Sequence, residues 1–357
     1  MPTLFDPIDV GALRLPNRIV MAPLTRARAT TDRRIPVPIM AEYYAQRATA
    51  GLIISEATVV DRMGVGYAAT PGIWSAEQVE GWRAVTRAVH DAGGRIFMQL
   101  WHVGRVSDPS LLDGQPPVSA SAIAARGEVS LLRPSRPYPV PRALEIGEIP
   151  GIVAAFRRGA VNAQDAGFDG VEIHGANGYL LDQFLQDSTN RRMDAYGGSR
   201  EKRARLILEI TDAVVEVWGA DRVGMHLAPR ADRHDMGDSD RLATFTYLAR
   251  ELGKRRIAFI CAREERLADS IGPRIREAFG GAYIANENFT RETAEQALAE
   301  GVADAVAFGR AYIANPDLVA RFAVRADLNP WDEQTFYVGD ARGYLDYPAL
   351  AAAGPPL

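Results

Sequence analysis

The feature that most restricts how this chain can fold is an alternation repeated eight times, in which a short apolar run is followed by a stretch with helical periodicity. The runs are Arg18 to Met21, Leu52 to Ser55, Arg95 to Leu100, Asp169 to Ile173, Val223 to Leu227, Ile257 to Ile260, Ala282 to Ala285 and Asp304 to Phe308. Short, near-continuous apolar segments of this kind suit strands of a parallel sheet that is covered on both faces. The stretches between them carry helix grammar. Ser75 stands as an N-cap with Gln78 three residues on, and Val79, Trp82, Val85 and Val89 make one apolar stripe before Gly93 and Gly94. Ile149, Ile152, Val153, Phe156 and Ala160 make a second stripe that stops at Gly167, and Thr290 caps a third helix ending near Gly301. Eight such units predict an α/β fold, the (β/α)₈ TIM barrel. An open doubly wound sheet would carry a Gly-rich turn after its first strand, where this chain has Met21-Ala-Pro-Leu-Thr-Arg26.

One barrel accounts for residues 1–357. The polar, Pro-rich stretch 107–142 is too long for a plain connector and reads as a cap or lid between the third strand and third helix. The segment 329–357 lacks periodicity and reads as a tail wrapping the barrel.

A formal net charge of −4 with interspersed signs leaves no electrostatic footprint for nucleic acid or anionic lipid. Cys261 is the single cysteine, so no disulfide, Cys-rich zinc site or cysteine-held iron–sulfur cluster can form within the chain, and no metal site is expected. Without a signal-peptide pattern or an apolar run of roughly 18 residues, the expectation is a cytoplasmic protein, as a monomer or homodimer.

Active sites of closed parallel barrels lie where the strands end. The residues there are polar: Thr25, Ser55 with Glu56, Gln99, His174, His226, Cys261 with Arg263, Asn286, and Gly309 with Arg310. His174 and Asn177 are three apart. If Gly175 and Ala176 open a helical turn, both side chains face one point with Tyr179 beside them. Two converging donors suit an oxygen that gains negative charge, and a tyrosine suits general-acid work. A satisfied core histidine followed by a turn-forming Asn-Gly fits the same residues. The ends of strands seven and eight form the usual phosphate seat of this fold; Asn286, Glu287 and Asn288 follow one, Gly309 and Arg310 the other. An ordinary surface ion pair at Arg310 remains the alternative.

Taken in order, Pro16-Asn-Arg-Ile-Val-Met-Ala-Pro-Leu-Thr25, Ile54-Ser-Glu-Ala57, Gln99-Leu-Trp-His102, Val118-Ser-Ala-Ser121, His174-Gly-Ala-Asn177-Gly-Tyr179, Tyr196-Gly-Gly-Ser199, Phe308-Gly-Arg310 and Gly343-Tyr-Leu-Asp-Tyr-Pro348 resemble the Old Yellow Enzyme family of FMN-containing ene-reductases. The similarity runs from Leu4 to about Tyr347. The resemblance implies tightly bound, non-covalent FMN, reduced by NAD(P)H. An activated alkene, an α,β-unsaturated carbonyl or nitro compound, would then take hydride from flavin N5 at its β-carbon. Pro23, Leu24, Thr25, Ala57 and Gln99 match positions that cradle the isoalloxazine, and Asn286, Glu287, Asn288, Gly309 and Arg310 match its phosphate site. His174 and Asn177 match the pair that holds the substrate oxygen, Tyr179 the proton donor, and Tyr67, Trp101, Arg142 and Tyr344 the substrate pocket.

Two departures stand out. His226 occupies a fifth-strand position where the family has an arginine against the flavin N1 and O2 edge. Glu287 stands where many members have glycine, and a seat of backbone N–H groups tolerates it if the side chain is directed outward. An iron–sulfur relay is excluded by the single cysteine; a flavin- or ligand-binding barrel with weak turnover, motivated by His226, is the remaining alternative.

Overall fold

The computed structural model describes residues 1–230 and 233–350. Eight parallel strands close on themselves: β1 (Ile19–Met21), β2 (Leu52–Ile54), β3 (Ile96–Trp101), β4 (Gly170–Gly175), β5 (Val223–Leu227), β6 (Phe259–Arg263), β7 (Ala282–Asn286) and β8 (Ala305–Phe308). Each pairs with the next in chain order, and β8 pairs back to β1.

Strand side chains alternate between two cores, as the pleat requires. Val20, Leu52, Ile54, Phe97, Phe259 and Ile284 point inward and fill the barrel. Ile19, Met21, Ile53 and Ile96 point outward under the helices. Two of the helices start at side-chain caps legible in the sequence. Ser75 and Gln78 form a reciprocal capping box on Ala76–Asp91, and Thr290 caps Arg291–Ala299. The helix Ile149–Asp165 is followed by Gly167 at φ +85°, a conformation that glycine adopts without Cβ strain.

One end of the barrel is plugged. A hairpin, Ile8–Val10 with Leu13–Leu15, lies across the strand N-termini, placing Val10 and Leu15 in the inner core. The Ala12 N–H donates to the Asp221 carbonyl at 2.9 Å, just before β5. Behind it the rings of Phe97 and Phe259 meet with centroids 5.8 Å apart. Gly224 makes room for them, since a Cβ there would sit 2.2 Å from the Phe259 ring. Only the C-terminal end of the strands is left open.

The sixth strand differs from expectation. It starts at Phe259 and runs to Arg263, where the apolar run had suggested Ile257 to Ile260. The polar residues at its end belong to the ladder, because inward positions near the open mouth face a site and not the hydrocarbon core. The segment 107–142 contains a 3₁₀ turn at Pro109–Leu111, a short parallel pairing of Val118–Ser119 with Arg142–Ala143, and one bridge between Glu128 and Pro137. Of the tail 329–357, residues 351–357 lie outside the described residues. No helix among the described residues is long and apolar enough to cross a membrane.

Candidate active site

At the open end lies a cavity of about 940 Å³. It collects the ends of most barrel strands. Pro23, Leu24 and Thr25 come from the loop after β1, Ala57 from the loop after β2, Gln99 and Trp101 from β3. His174, Asn177 and Tyr179 come from the end of β4 and its turn, and Tyr67 from the loop after β2. His226 comes from β5, Asn286, Glu287 and Asn288 from the end of β7, and Gly309 and Arg310 from the end of β8.

The β1 loop is shaped from beneath. The Glu56 carboxylate accepts from the backbone N–H groups of Arg26 (3.1 Å) and Ala27 (3.3 Å). Burial pushes the Glu56 carboxyl above its ordinary range, and these two N–H groups oppose that rise. Arg26, itself fully buried, donates to the Phe336 carbonyl at 3.1 Å and the Gly343 carbonyl at 2.7 Å. It thereby ties the loop to the C-terminal segment.

At the β4 end the turn is not the helical one expected. The strand continues through Gly175, and Asn177 adopts a left-handed backbone with φ +59°, followed by Gly178 at φ +78°. Asparagine is one of the few residues that tolerates this conformation. The turn is fixed by Asp182, which accepts the Gly178 N–H at 2.8 Å. His174 reaches the cavity from an inward strand position, and its Nδ1 accepts from the Ala176 N–H at 3.3 Å. That assigns the imidazole proton to Nε2. Burial, then the neighbouring His226 and Arg263, hold the His174 pKa well below the usual 6.5, so the ring is neutral and donates through Nε2–H.

The Tyr179 and Tyr67 hydroxyls lie 3.0 Å apart. Burial raises Tyr179 to about 12, and the hydrogen bond from Tyr67 partly opposes that rise. The Trp101 ring is near-parallel to Tyr67 (5.7 Å) and to His174 (6.2 Å), so three flat groups make one wall. Tyr179 stands edge-on to His174 at 5.1 Å.

His226 is buried and stacked on His174 at 5.5 Å. Gln99 Nε2 donates to Glu172 at 2.6 Å and contacts His226 Nδ1 at 3.0 Å. His226 Nδ1 also lies 3.4 Å from the Glu172 carboxylate, and its Nε2 is buried with no protein partner. A buried polar atom of this kind, orphaned in a cavity wall, calls for a partner in the cavity.

Two expected pocket residues lie elsewhere. Arg142 sits on the short strand beside Val118–Ser119, where Glu148 pairs with it at 2.6 and 2.8 Å and draws the guanidinium to the surface. Tyr344 is fully buried, stacked on Tyr43 at 4.1 Å with the Arg26 and Arg28 guanidiniums over its face. It packs behind the segment that brings Phe336 and Tyr337 to the cavity. Glu287 is not directed outward. It lines the cavity and pairs with Arg263, whose two nitrogens Nε and Nη2 it accepts.

Sequence reasoning did not assign Arg263, Arg233, His234, Phe336 and Tyr337 to the site, although all line the cavity. Arg263 was visible as polarity at a strand end. The others lie in connections without periodicity, where nothing in the sequence says which way a side chain faces.

A closed parallel barrel with polar side chains gathered at the C-terminal ends of its strands is the architecture of a barrel enzyme. The model of the NADH:flavin oxidoreductase / NADH oxidase family matches residues 3–329, and the chain belongs to that family, an FMN oxidoreductase of the Old Yellow Enzyme type. It is 45% identical over 359 residues to putative 12-oxophytodienoate reductase 4 of Oryza sativa subsp. japonica, covering 97% of this chain and 93% of the relative. It is 44% identical over 356 residues to a probable flavin mononucleotide-dependent alkene reductase of Leishmania infantum, covering 97% of each. Among solved structures, the old yellow enzyme homologue from Zymomonas mobilis superposes with TM-score 0.95 at 46% identity, covering 98% of this chain and 100% of that one. Morphinone reductase in complex with tetrahydroNAD superposes with TM-score 0.96 at 47% identity over the whole of both chains.

The donor set fits a flavin mononucleotide. Gln99 and the unpartnered His226 Nε2 line the cavity on neighbouring inward strand positions, suited to the polar edge of an isoalloxazine. Asn288, Gly309 and Arg310 stand at the ends of β7 and β8, suited to its phosphate.

Proposed function

We propose that this protein is an FMN-dependent ene-reductase that uses NAD(P)H to saturate the activated C=C bond of α,β-unsaturated carbonyl or nitro compounds. The observation that carries this reading is the His174 tautomer: a neutral ring whose Nε2–H is offered to the cavity beside Asn177 and Tyr179. FMN, when bound, would supply the two-electron redox chemistry between the nicotinamide and the alkene.

The chain's own residues do the rest. Pro23, Leu24, Thr25, Ala57, Gln99 and His226 seat the ring system, and Asn286 to Asn288 with Gly309 and Arg310 seat the phosphate. His174 and Asn177 hold the substrate oxygen and stabilise the charge that develops on it. Tyr179, whose proton stays on at neutral pH, protonates the α-carbon. Trp101 and Tyr67 orient the alkene between the flavin seat and Tyr179. The segment 107–142 brings Ser130 and Leu131 to the cavity rim, which supports its reading as a lid. A barrel that merely binds flavin is not favoured, since the relatives named above are reductases.

Purified holoenzyme should be yellow, bleach anaerobically with NAD(P)H and recover its colour on adding 2-cyclohexenone. Bleaching without recovery would overturn the ene-reductase reading.

His226 offers a separate test. An imidazole offers a single ring nitrogen to its neighbour, whereas an arginine in its place would add a permanent positive charge. His226→Arg should therefore raise the midpoint potential of the bound flavin at pH 8, because the reduced cofactor is the more anionic form. Spectroelectrochemical titration of both proteins reads this directly. Equal potentials would show that this side chain does not face the cofactor.

A further inference from the structure

Asn177 is held at both ends. Its backbone carbonyl faces the His234 ring at 2.8 Å from Nδ1, and its side-chain Oδ1 accepts from Arg263 Nη1 at 3.0 Å. Arg263 comes from the last position of β6 and aligns in the ladder with Asn286 of β7. Its remaining nitrogens, Nε and Nη2, go to the Glu287 carboxylate, the latter at 3.1 Å. Glu287 pays for its place with a backbone φ of +105°, a region that side chains with a Cβ rarely adopt.

We propose that Arg263 is a positioning residue for substrate binding: it decides which end of the Asn177 amide faces the substrate, and Glu287 locks Arg263 in the pose that does so.

A guanidinium carries five N–H donors and no acceptor, so the Asn177 atom against it must be the oxygen. The Nδ2 amide is thereby the end left to face other partners, and it can donate to a carbonyl or nitro oxygen. A free asparagine could turn its amide over and present Oδ1, which would repel that same oxygen.

Glu287 has a second effect. An unpaired guanidinium in the cavity wall could itself take the substrate oxygen or the cofactor phosphate. With Glu287 on two of its nitrogens, Arg263 has Nη1 left for Asn177. Burial would push the Glu287 carboxyl up, but the hydrogen bonds and charge of Arg263 more than offset this and hold it below its ordinary value. The pair is thus ionised. The Arg263 charge is also among the causes that keep His174 neutral, after burial and His226. One side chain therefore serves both members of the clamp: it orients the amide of one and disfavours protonation of the other.

The proposal rests on the clamp reading of His174 and Asn177, and the test separates the two. Holoenzymes are titrated with 4-chlorophenol, and the dissociation constant is read from the long-wavelength flavin band that the bound phenolate produces. His174→Ala tests the clamp by itself. Arg263→Met, which keeps length and removes every donor, should weaken the phenol about tenfold, the worth of one well-placed hydrogen bond. Arg263→Lys, again a donor without an acceptor, should recover most of that loss. In an Asn177→Ala background, Arg263→Met should lose most of its effect, because burial already disfavours His174 protonation and the arginine acts chiefly through the amide. Glu287→Gln, which keeps the shape of the side chain, gives a second measure and should weaken binding in the same direction by a smaller factor. If His174→Ala weakens the phenol but Arg263→Met leaves it unchanged, the proposal is overturned while the clamp stands. An equal loss from Arg263→Met with and without Asn177 would overturn it too, since the arginine would then act directly. Should His174→Ala leave binding unaltered, it is the clamp that fails.

Discussion

Replacing Tyr179 by phenylalanine should slow the reduction of an activated alkene by about 10²–10⁴-fold, the usual worth of a positioned general acid. Reduction of the flavin by NAD(P)H should keep its rate, because no proton is delivered to carbon in that half-reaction. The phenol is suited to the task at neutral pH. Burial lifts its pKa to about 12, so it is fully protonated, and the Tyr67 hydroxyl 3.0 Å away can support the charge left when the proton departs. Stopped-flow traces of the two half-reactions, measured separately, decide the matter. Equal losses in both would mean that the ring merely shapes the pocket.

His174→Ala should cost alkene reduction about 10²–10³-fold, as expected for one donor of an oxyanion-type site. It should also weaken phenol ligands and bleach their long-wavelength band. The pH dependence carries further information. Because burial holds the His174 pKa far below 6.5, the ring does not titrate between pH 6 and 8, and its N–H donor is present throughout. His174 should therefore add no inflection near the ordinary histidine pKa to the phenol affinity of the native enzyme. An inflection there, absent in His174→Ala, would show that the ring is charged when it binds and that the neutral tautomer is wrong.

Much of this was open to inspection in the sequence. The eight strands were legible because a strand buried on both faces must be apolar along its length, and a TIM barrel repeats that demand eight times. The site residues on or next to the strands, such as Gln99, His174 and His226, followed once the strand ends were placed. Where reasoning failed, the failure was local. The sixth strand was set too early because its last residues, Cys261 to Arg263, lose the apolar signature as they approach the mouth. The β4 turn was expected to be helical, but spacing cannot distinguish a helical turn from a left-handed asparagine. Arg142 and Tyr344 were misplaced for a different reason. The motif containing each is present, but the direction of a side chain in a connection depends on a distant partner. Glu148 draws Arg142 outward, and Tyr43 receives Tyr344. Glu287 and Arg263 were each seen alone, and only three dimensions brought strands six and seven side by side so that the two charges could meet.

The tie between the β1 loop and the C-terminal segment has a consequence for the order of events in the cell. Arg26 donates to the carbonyl of Gly343, 317 residues further along the chain, and Arg28 donates to those of Thr335, Phe336 and Val338. The loop bearing Thr25 is synthesised well before the segment that clasps it, since Arg26 and the Phe336 carbonyl lie 310 residues apart in the chain. Domains fold as their chain becomes available, so the barrel can begin to assemble during translation while its cofactor seat stays unfinished. A nascent chain stalled before residue 335 would have strands enough for a barrel but none of the C-terminal carbonyls that Arg26 and Arg28 grip.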